Sequence, residues 1–260
     1  MKKTALILAG FMFLINSSAF GLIHVGVNAG YAYANYADVG NAWETVKQKA
    51  QDADYNVRLD TFGNCIYANA DISVSLLPAF DLSLRTGGQW MLPVTYQSDI
   101  GDVLQQKDTI NSYLVPLQLG LGLSFEIDPG SMWVIVTGHA GYGFSAMTVD
   151  RTYGNDPSIE PEAQGQNFLF IYDGGGFMYD ISAQVEWKFL SIFRLQVNAG
   201  YRTADIRHMN LTSKVEVPGY GIIFDAGEEL TNIAEITGTA TKMSVDFSGI
   251  LLGIGLSVGF

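Results

Sequence analysis

Three histidines, His24, His139 and His208, are the residues of this chain best suited to acid–base or metal chemistry. They lie far apart along the chain and no motif groups them with further ligands, so we predict no metal site. A Ser-His-Asp set stays open as an alternative, because such triads are recognised by geometry and not by order. No nucleophile elbow, a serine on a sharp strand-to-helix turn, is recognised. We therefore predict that the protein is not an enzyme and that it binds no cofactor. Loss of a measured activity on substituting His139 or His208 would contradict the first prediction.

A second chemical feature is a set of charged residues of both signs that alternate with apolar residues. Brought together in an interior, such residues form ion pairs and hydrogen bonds, since an unpaired charge away from water is costly. The set comprises Asp71, Asp81, Arg85, Glu126, Asp180, Glu186, Lys188, Arg194 and Arg202. We predict a charge network that either fills an interior structurally or gates a narrow polar path.

A run of loosely spaced glycines at residues 138–143 is weaker evidence for chemistry. It lies within an alternating segment and does not open a helix, so it lacks the setting of a phosphate-binding loop.

The elements that must position these residues are strands with one apolar face. The clearest is residues 250–260, where Phe260, Val258 and Leu256 belong to an apolar row that alternates with glycine and serine. Side chains alternate between the two faces of a strand. The run is too short for a membrane helix but has the length of a tilted membrane strand.

The same alternation recurs along the chain and predicts about eight strands. Short turns near Pro78, Pro129 and Ser191 alternate with four long segments, and aromatic residues concentrate at both ends of the apolar rows. This arrangement is typical of a bacterial membrane barrel whose apolar rows face lipid.

Residues 215–217 and 222–224 predict either a hairpin above the membrane or two further strands, which would make ten strands in all. Pro116 predicts a bulge or local irregularity, because proline cannot donate to the ladder. Residues 41–51 could form a short helix.

The first residues and the overall charge bear on location and partners. Lys2 and Lys3, an apolar run and small residues up to Ala19 and Gly21 predict a signal peptide over residues 1–21, cleaved after either small residue. Residues 22–260 then form a single transmembrane domain.

The net charge of −12 argues against nucleic acid. The single cysteine, Cys65, is expected to be a small residue near the outer end of a strand, with intermolecular pairing as the alternative.

The whole chain after the predicted signal peptide resembles the small bacterial outer-membrane barrels of the OmpX, OmpA membrane domain and OmpW type. The resemblance is carried by the signal peptide, the alternating strands, the turn Asp128-Pro129-Gly130 and the C-terminal Phe260. It implies an all-β, antiparallel up-and-down transmembrane β-barrel with short periplasmic turns, four long extracellular loops and both termini in the periplasm. It names no subfamily.

The resemblance also implies partners and functions. The expected partners are outer-membrane lipid, the outer-membrane assembly machinery through residues Leu256, Val258 and Phe260, and an extracellular ligand of the acidic loops. We predict a polar, plugged lumen, with the loops used for binding, adhesion or envelope structure. The alternatives are a channel for small solutes or hydrophobic molecules, as in OmpW, an outer-membrane enzyme, and a soluble lipocalin-like barrel with its apolar rows inside.

Overall fold

The computed structural model describes residues 23–77, 79–190, 192–231 and 242–259. The predicted signal peptide, residues 1–21, and Phe260 of the predicted assembly signal lie outside the described residues. The elements in chain order are β1 (Ile23–Ala34), α1 (Ala37–Asp52), β2 (Asn56–Leu59), β3 (Asn64–Leu77), β4 (Phe80–Met91), β5 (Val94–Ile100), β6 (Val103–Asp128), β7 (Met132–Tyr153), β8 (Asn167–Lys188), β9 (Phe193–Thr203), β10 (Asp205–Ile206), β11 (Met209–Leu211), β12 (Val215–Val217), β13 (Ile222–Phe224), β14 (Val245–Asp246) and β15 (Gly249–Gly259).

Eight antiparallel strands close into a ring in the order β1, β3, β4, β6, β7, β8, β9 and β15, with β15 pairing back onto β1. In the closing ladder Val25 is opposite Val258, and Tyr33 is opposite Ile250. Closure leaves the ring without an edge strand, which is what allows strands to cross a bilayer. The predicted eight-stranded, up-and-down β-barrel is therefore confirmed.

The two faces of the barrel wall follow the alternation in the sequence. Outward side chains are apolar and exposed, among them Leu121 at 65% and Phe177 at 86%, whereas the inward Arg202 is 0% exposed. The apolar rows therefore cover the outside, and the lipocalin-like arrangement is wrong. No helix in the described part of the chain is long and apolar enough to span a membrane.

Three strands extend well past the ring at its long-loop end. β6, β7 and β8 are 26, 22 and 22 residues long, and β5, β2 and β11 add to them outside the ring. We refer to this extension, with α1 and β10–β14, as the head. The segments that the sequence indicated as polar loops are thus largely folded into sheet and helix.

The head has its own apolar core. Helix α1 turns Val39, Ala42 and Trp43 inward, and Trp43 lies against Phe62 with ring centroids 6.5 Å apart. Tyr36 completes this cluster with an edge-on contact to Phe247 at 5.3 Å. The predicted helix over 41–51 is confirmed, and it is longer at its N-terminal end.

Three local expectations were also tested. β12 and β13 pair only with each other, so they form a hairpin outside the ring and not two further spanning strands. At Pro116 the register between β4 and β6 does not shift, so the expected bulge is absent. The local irregularity is instead a break in the pairing of the two strands, opposite Gly87 and Gly88. Cys65 is unpaired and fully buried at the long-loop end of β3, which disfavours intermolecular pairing.

Candidate functional site in the barrel lumen

One row of inward positions crosses four neighbouring strands and carries the most reactive set of side chains. Ser83 on β4 is opposite Gly120 on β6, Gly120 is opposite His139 on β7, and His139 is opposite Asp180 on β8. Directly opposed residues share a face of a sheet. Pairing and alternation together therefore place serine, histidine and aspartate at one height inside the barrel.

These three side chains are joined by two hydrogen bonds. The Ser83 Oγ and His139 Nε2 atoms are 3.1 Å apart, and His139 Nδ1 is 3.1 Å from the Asp180 Oδ1 atom. All three residues are buried, at 7%, 3% and 3% exposure. The linear order hydroxyl, imidazole, carboxylate is the order of hydrogen bonds in a serine hydrolase triad.

Two arginines surround the same carboxylate. Arg85 reaches Asp180 at 3.1 Å and Asp71 at 2.7 Å, and Arg202 reaches Asp180 at 3.3 Å. Two carboxylates thus face two guanidinium groups, and the cluster is close to neutral if His139 is uncharged. This balance accounts for the burial of Arg85, Asp180 and Arg202, because each is paired and hydrogen-bonded.

A second, smaller cluster lies nearer the short turns. Glu186 accepts hydrogen bonds from Arg194 at 2.8 Å and from Gln196 at 2.6 Å. The Arg194 guanidinium also lies 4.5 Å from the centre of the Trp133 ring, a cation–π contact. Asp81 is separate from this cluster and accepts hydrogen bonds from Ser75 and Ser124.

A cavity of about 170 Å³ connects the two clusters. Its wall includes Ser83, Arg85 and His139 from the first cluster, and Glu186 and Arg194 from the second. It continues to Ser75 and Ser124, near the short turns. The reactive row therefore borders a polar space large enough for a few water molecules.

Above this space the inward rows become apolar. Continuing toward the long-loop end, the buried inward residues include Tyr67, Leu114, Met147, Met178 and Leu251, each 5% exposed or less. Gln89 and Arg202, both fully buried, lie at the boundary and are hydrogen-bonded to each other at 3.0 Å. The lumen thus has a polar section toward the short turns and an apolar section that merges with the head core.

The predicted charge network is partly assembled. The structure brings Asp71, Arg85, Asp180 and Arg202 into one cluster and pairs Glu186 with Arg194. Asp81 lines the same cavity but is hydrogen-bonded to serines, and the two remaining members are corrections. Glu126 is exposed and accepts a hydrogen bond from the Gly130 backbone in the turn, and Lys188 is exposed at the end of β8. Both occupy inward positions by alternation, but the strands there have already left the closed part of the lumen.

Of the predicted assembly signal, Leu256 is exposed on the outer face and Val258 is half-buried against Val25 and Phe193. Its role in assembly stays a prediction.

Sequence reasoning missed Ser83 as a partner of His139. The signal was available, since alternation along β4 and β7 puts both residues on the inward face, but strand registers were needed to bring them to one height. Of the other histidines, His24 lies inward at the wall of the cavity, and His208 is in the head, 2.9 Å from Glu229. Among the described residues, no cluster of three or more His, Cys, Asp or Glu side chains could hold a metal ion.

The head contains a buried ion pair. Arg151 on β7 makes two 2.8 Å hydrogen bonds to Asp108 on β6, whose side chain is fully buried. Burial by itself would lower the pKa of Arg151, but the Asp108 carboxylate outweighs it and raises that pKa. Nearby in the core, burial raises the pKa of Tyr172 to about 12.

Comparisons with known proteins give distant matches to solved structures. The chain matches no protein-family model and no curated protein. Solved structures that it resembles include Neisserial surface protein A, at 9% identity over 92% of this chain and 99% of that one, with a TM-score of 0.40. Another is the outer membrane protease OmpT from Escherichia coli, at 9% identity over 94% and 99% of the two chains, with a TM-score of 0.46.

These matches also correct one prediction. We predicted that the protein is not an enzyme, and the presence of a protease among the similar structures contradicts that prediction, which we withdraw. At 9% identity the match concerns the fold alone and assigns no activity to this chain. The closed ring of eight strands with an apolar exterior makes this protein a small β-barrel of the outer-membrane type, whose subfamily is unresolved.

Proposed function

We propose that the protein is a non-conducting outer-membrane barrel that presents a folded binding head at the cell surface. The observation that carries this proposal is the change of the inward rows from polar to apolar side chains at the long-loop end. An eight-stranded barrel is just wide enough for side chains to fill its interior. Here the filling continues without interruption into the core of the head.

The apolar section is the main obstacle to a solute. A hydrated ion entering from the short-turn end would pass the charged clusters and then meet Leu114, Met147 and Met178, each at most 1% exposed. Moving an ion among such side chains costs many kcal/mol unless it is paired. A small-solute channel therefore requires the head core to open, which makes it the weaker candidate.

The head offers surface for a ligand. A recess of about 760 Å³ lies on the paired strands β2, β5 and β6 and is lined by both charge signs, with Arg58 and Lys107 beside Asp99 and Asp102. The chain is acidic overall, at −12. A polar partner with positive groups fits this surface better than an apolar or anionic one.

We place the long-loop end outside the cell and both termini in the periplasm. Support comes from the short turns, which in outer-membrane barrels are periplasmic, and from the long strands that build the head. The assembly machinery acting on the C-terminal strand, and outer-membrane lipid around the apolar exterior, are the partners that this placement implies.

Single-channel recording tests the closure of the lumen. The protein refolded into a planar bilayer should give no discrete current steps, with folding verified by heat-dependent migration on a gel. The matched variant replaces Leu114 and Met178 together by serine, which makes the apolar section polar while leaving the wall intact. Reproducible steps from the wild-type protein would overturn the proposal.

Surface labelling tests the orientation. A Glu160→Cys variant in the head should react with a membrane-impermeant maleimide on intact cells, and an Asp128→Cys variant in a short turn should not. Native Cys65 is fully buried and serves as the internal background. The reverse pattern would place the head in the periplasm and remove the basis for a surface role.

Adhesion measurements test the head itself. Cells displaying the wild-type protein should bind a cationic surface more strongly than cells displaying an Asp99→Asn, Asp102→Asn double variant. The control for overall charge is a double variant in α1, Glu44→Gln with Asp52→Asn, which removes the same number of negative charges from exposed positions away from the recess. Equal loss in both variants would indicate only non-specific attraction.

A further inference from the structure

We propose that Ser83, His139 and Asp180 form a hydrolytic site inside the barrel, which cleaves short-chain carboxylic esters reaching it from the short-turn end. This inference goes beyond the proposed surface function and rests on a different part of the molecule. It uses the polar section of the lumen, below the apolar closure. The nucleophile is Ser83, the base is His139, and Asp180 is a positioning residue.

The hydrogen bonds around Asp180 favour one resting arrangement of protons. Asp180 accepts hydrogen bonds from Arg85 and Arg202, so its carboxylate is ionised and acts only as an acceptor. His139 Nδ1, 3.1 Å away, must then carry a proton and donate it. In the neutral ring Nε2 is left as an acceptor, and the Ser83 hydroxyl donates to it at 3.1 Å. This is the state in which a serine can be deprotonated by its neighbour.

Gly120 makes the contact between serine and histidine possible. It lies on β6 between the strands that carry them, whose backbones are roughly 10 Å apart at the usual strand spacing. A Cβ atom at position 120 would lie 2.3 Å from His139 Cδ2 and 2.5 Å from Ser83 Oγ. Any other residue would therefore occupy the place where the two side chains meet.

The cavity sets the size and polarity of the substrate. At about 170 Å³ it has the volume of roughly six water molecules, which admits an acetyl or similarly short acyl group but not a fatty acyl chain. Strand backbone amides are engaged in the ladders, so a developing oxyanion needs side-chain donors. The Arg85 guanidinium and the Thr137 hydroxyl line the cavity with Ser83 and can supply them.

The reaction proceeds in two balanced steps. Ser83 Oγ attacks the carbonyl carbon while its proton passes to His139 Nε2, and collapse of the tetrahedral adduct breaks the ester C–O bond. The alcohol leaves with the proton from His139, and Ser83 holds the acyl group. Water then attacks the acyl carbon, again losing a proton to His139, and Ser83 leaves with that proton. The products are one carboxylic acid and one alcohol, and water is the only co-reactant.

The test uses methanesulfonyl fluoride, a serine-directed probe small enough for the cavity. The refolded protein in detergent should become sulfonylated at Ser83, as located by peptide mass spectrometry. The label should be absent in Ser83→Ala and form at least about 100-fold more slowly in His139→Gln, since loss of a general base costs that much or more. Hydrolysis of methyl acetate, followed by acid release, should fall in the same two variants.

The controls use a buried serine and a histidine outside the cavity. Ser145→Ala, on β7 like His139, and His208→Gln, in the head, should both label and hydrolyse at the wild-type rate. No label on a folded wild-type barrel, or equal labelling in His139→Gln, would overturn the proposal and leave a structural polar plug. Labelling without ester turnover would overturn the hydrolytic part, because the second step would then be missing.

Discussion

His139 and Ser83 are hydrogen-bonded at 3.1 Å although they lie on strands that are not neighbours in the barrel. The strand between them contributes only Gly120 at that height. The relationship depends on two registers being correct at once, those of β4 with β6 and of β6 with β7. A slip of one residue in either of them would turn one partner to the lipid side.

Replacing Gly120 by alanine should separate the two side chains without unfolding the barrel. The added methyl would lie within 2.5 Å of Ser83 Oγ and His139 Cδ2, so both must move. Overpacking of this kind typically costs about 1–3 kcal/mol. Nitrogen NMR of the His139 ring should show loss of the hydrogen bond at Nε2, and sulfonylation of Ser83 should slow.

The matched control is Gly138→Ala. Gly138 is the residue next to His139 on β7, but its added methyl would point into open space on the outer face. It should leave both the ring resonances and the labelling rate unchanged. An unchanged His139 resonance in Gly120→Ala would show that the side chains meet in some other way.

The Asp108–Arg151 pair should be the most sensitive charged contact of the head. Replacing Asp108 by asparagine leaves the Arg151 charge buried without its partner, and breaking such a pair typically costs about 3–5 kcal/mol. Because the pair joins β6 to β7 above the ring, the loss should appear as faster hydrogen exchange in the upper halves of those strands. Exchange in the membrane-spanning halves should be unchanged.

The exposed pair Lys47–Glu44 on α1 provides the comparison for that variant. Its side chains are 30% and 59% exposed, so solvent screens their attraction and Glu44→Gln should cost less than about 1 kcal/mol. Equal effects of the two substitutions would mean that the head is too loosely packed for burial to matter.

The barrel could be predicted because membrane strands follow one simple rule, the alternation of apolar side chains that face lipid with side chains that face the lumen. Outward rows such as that of Leu119 and Leu121 are apolar along their length, and the turn after Asp128 ends this row. The rule also identified Arg85 and Asp180 as inward charges. It could not supply the registers, which depend on pairing between strands far apart in the chain, so the contact of Ser83 with His139 was not foreseen.

The head was missed because the apolar row changes face at the membrane boundary. In β8 the outward side chains Phe177, Tyr179 and Ile181 are apolar in the barrel, whereas in the head Phe168, Phe170 and Tyr172 are buried inward. The period of two continues through residues 168–172, but the outward positions become more polar. The sequence pattern therefore predicts the end of a strand at the point where the strand leaves the lipid and begins to cover the apolar core of the head.

Tyr172 should titrate with a pKa of about 12, because burial opposes formation of its anion. In an unfolded chain its pKa is about 10, so neutral Tyr172 contributes stability that is fully present below pH ~10 and lost as pH rises through ~12. The Tyr172→Phe variant should lack one tyrosinate signal near pH 12 in an ultraviolet titration. Its head should also resist alkali better than that of the wild type. A lost signal near pH 10 would mean that Tyr172 is solvated.

Trp43 should hold α1 on the head. It is 2% exposed and packs against Phe62, and a Trp→Ala change at such a site removes many contacts and leaves a cavity, typically at a cost of about 3–5 kcal/mol. Because α1 contributes Val39, Ala42 and Trp43 to the core, the expected result is release of the helix and not loss of the barrel. Limited proteolysis should then cut within residues 37–52 while heat-dependent migration on a gel persists. Gln48→Ala, on the exposed side of the same helix, should remain resistant; cleavage of both variants at equal rates would show that Trp43 does not anchor α1.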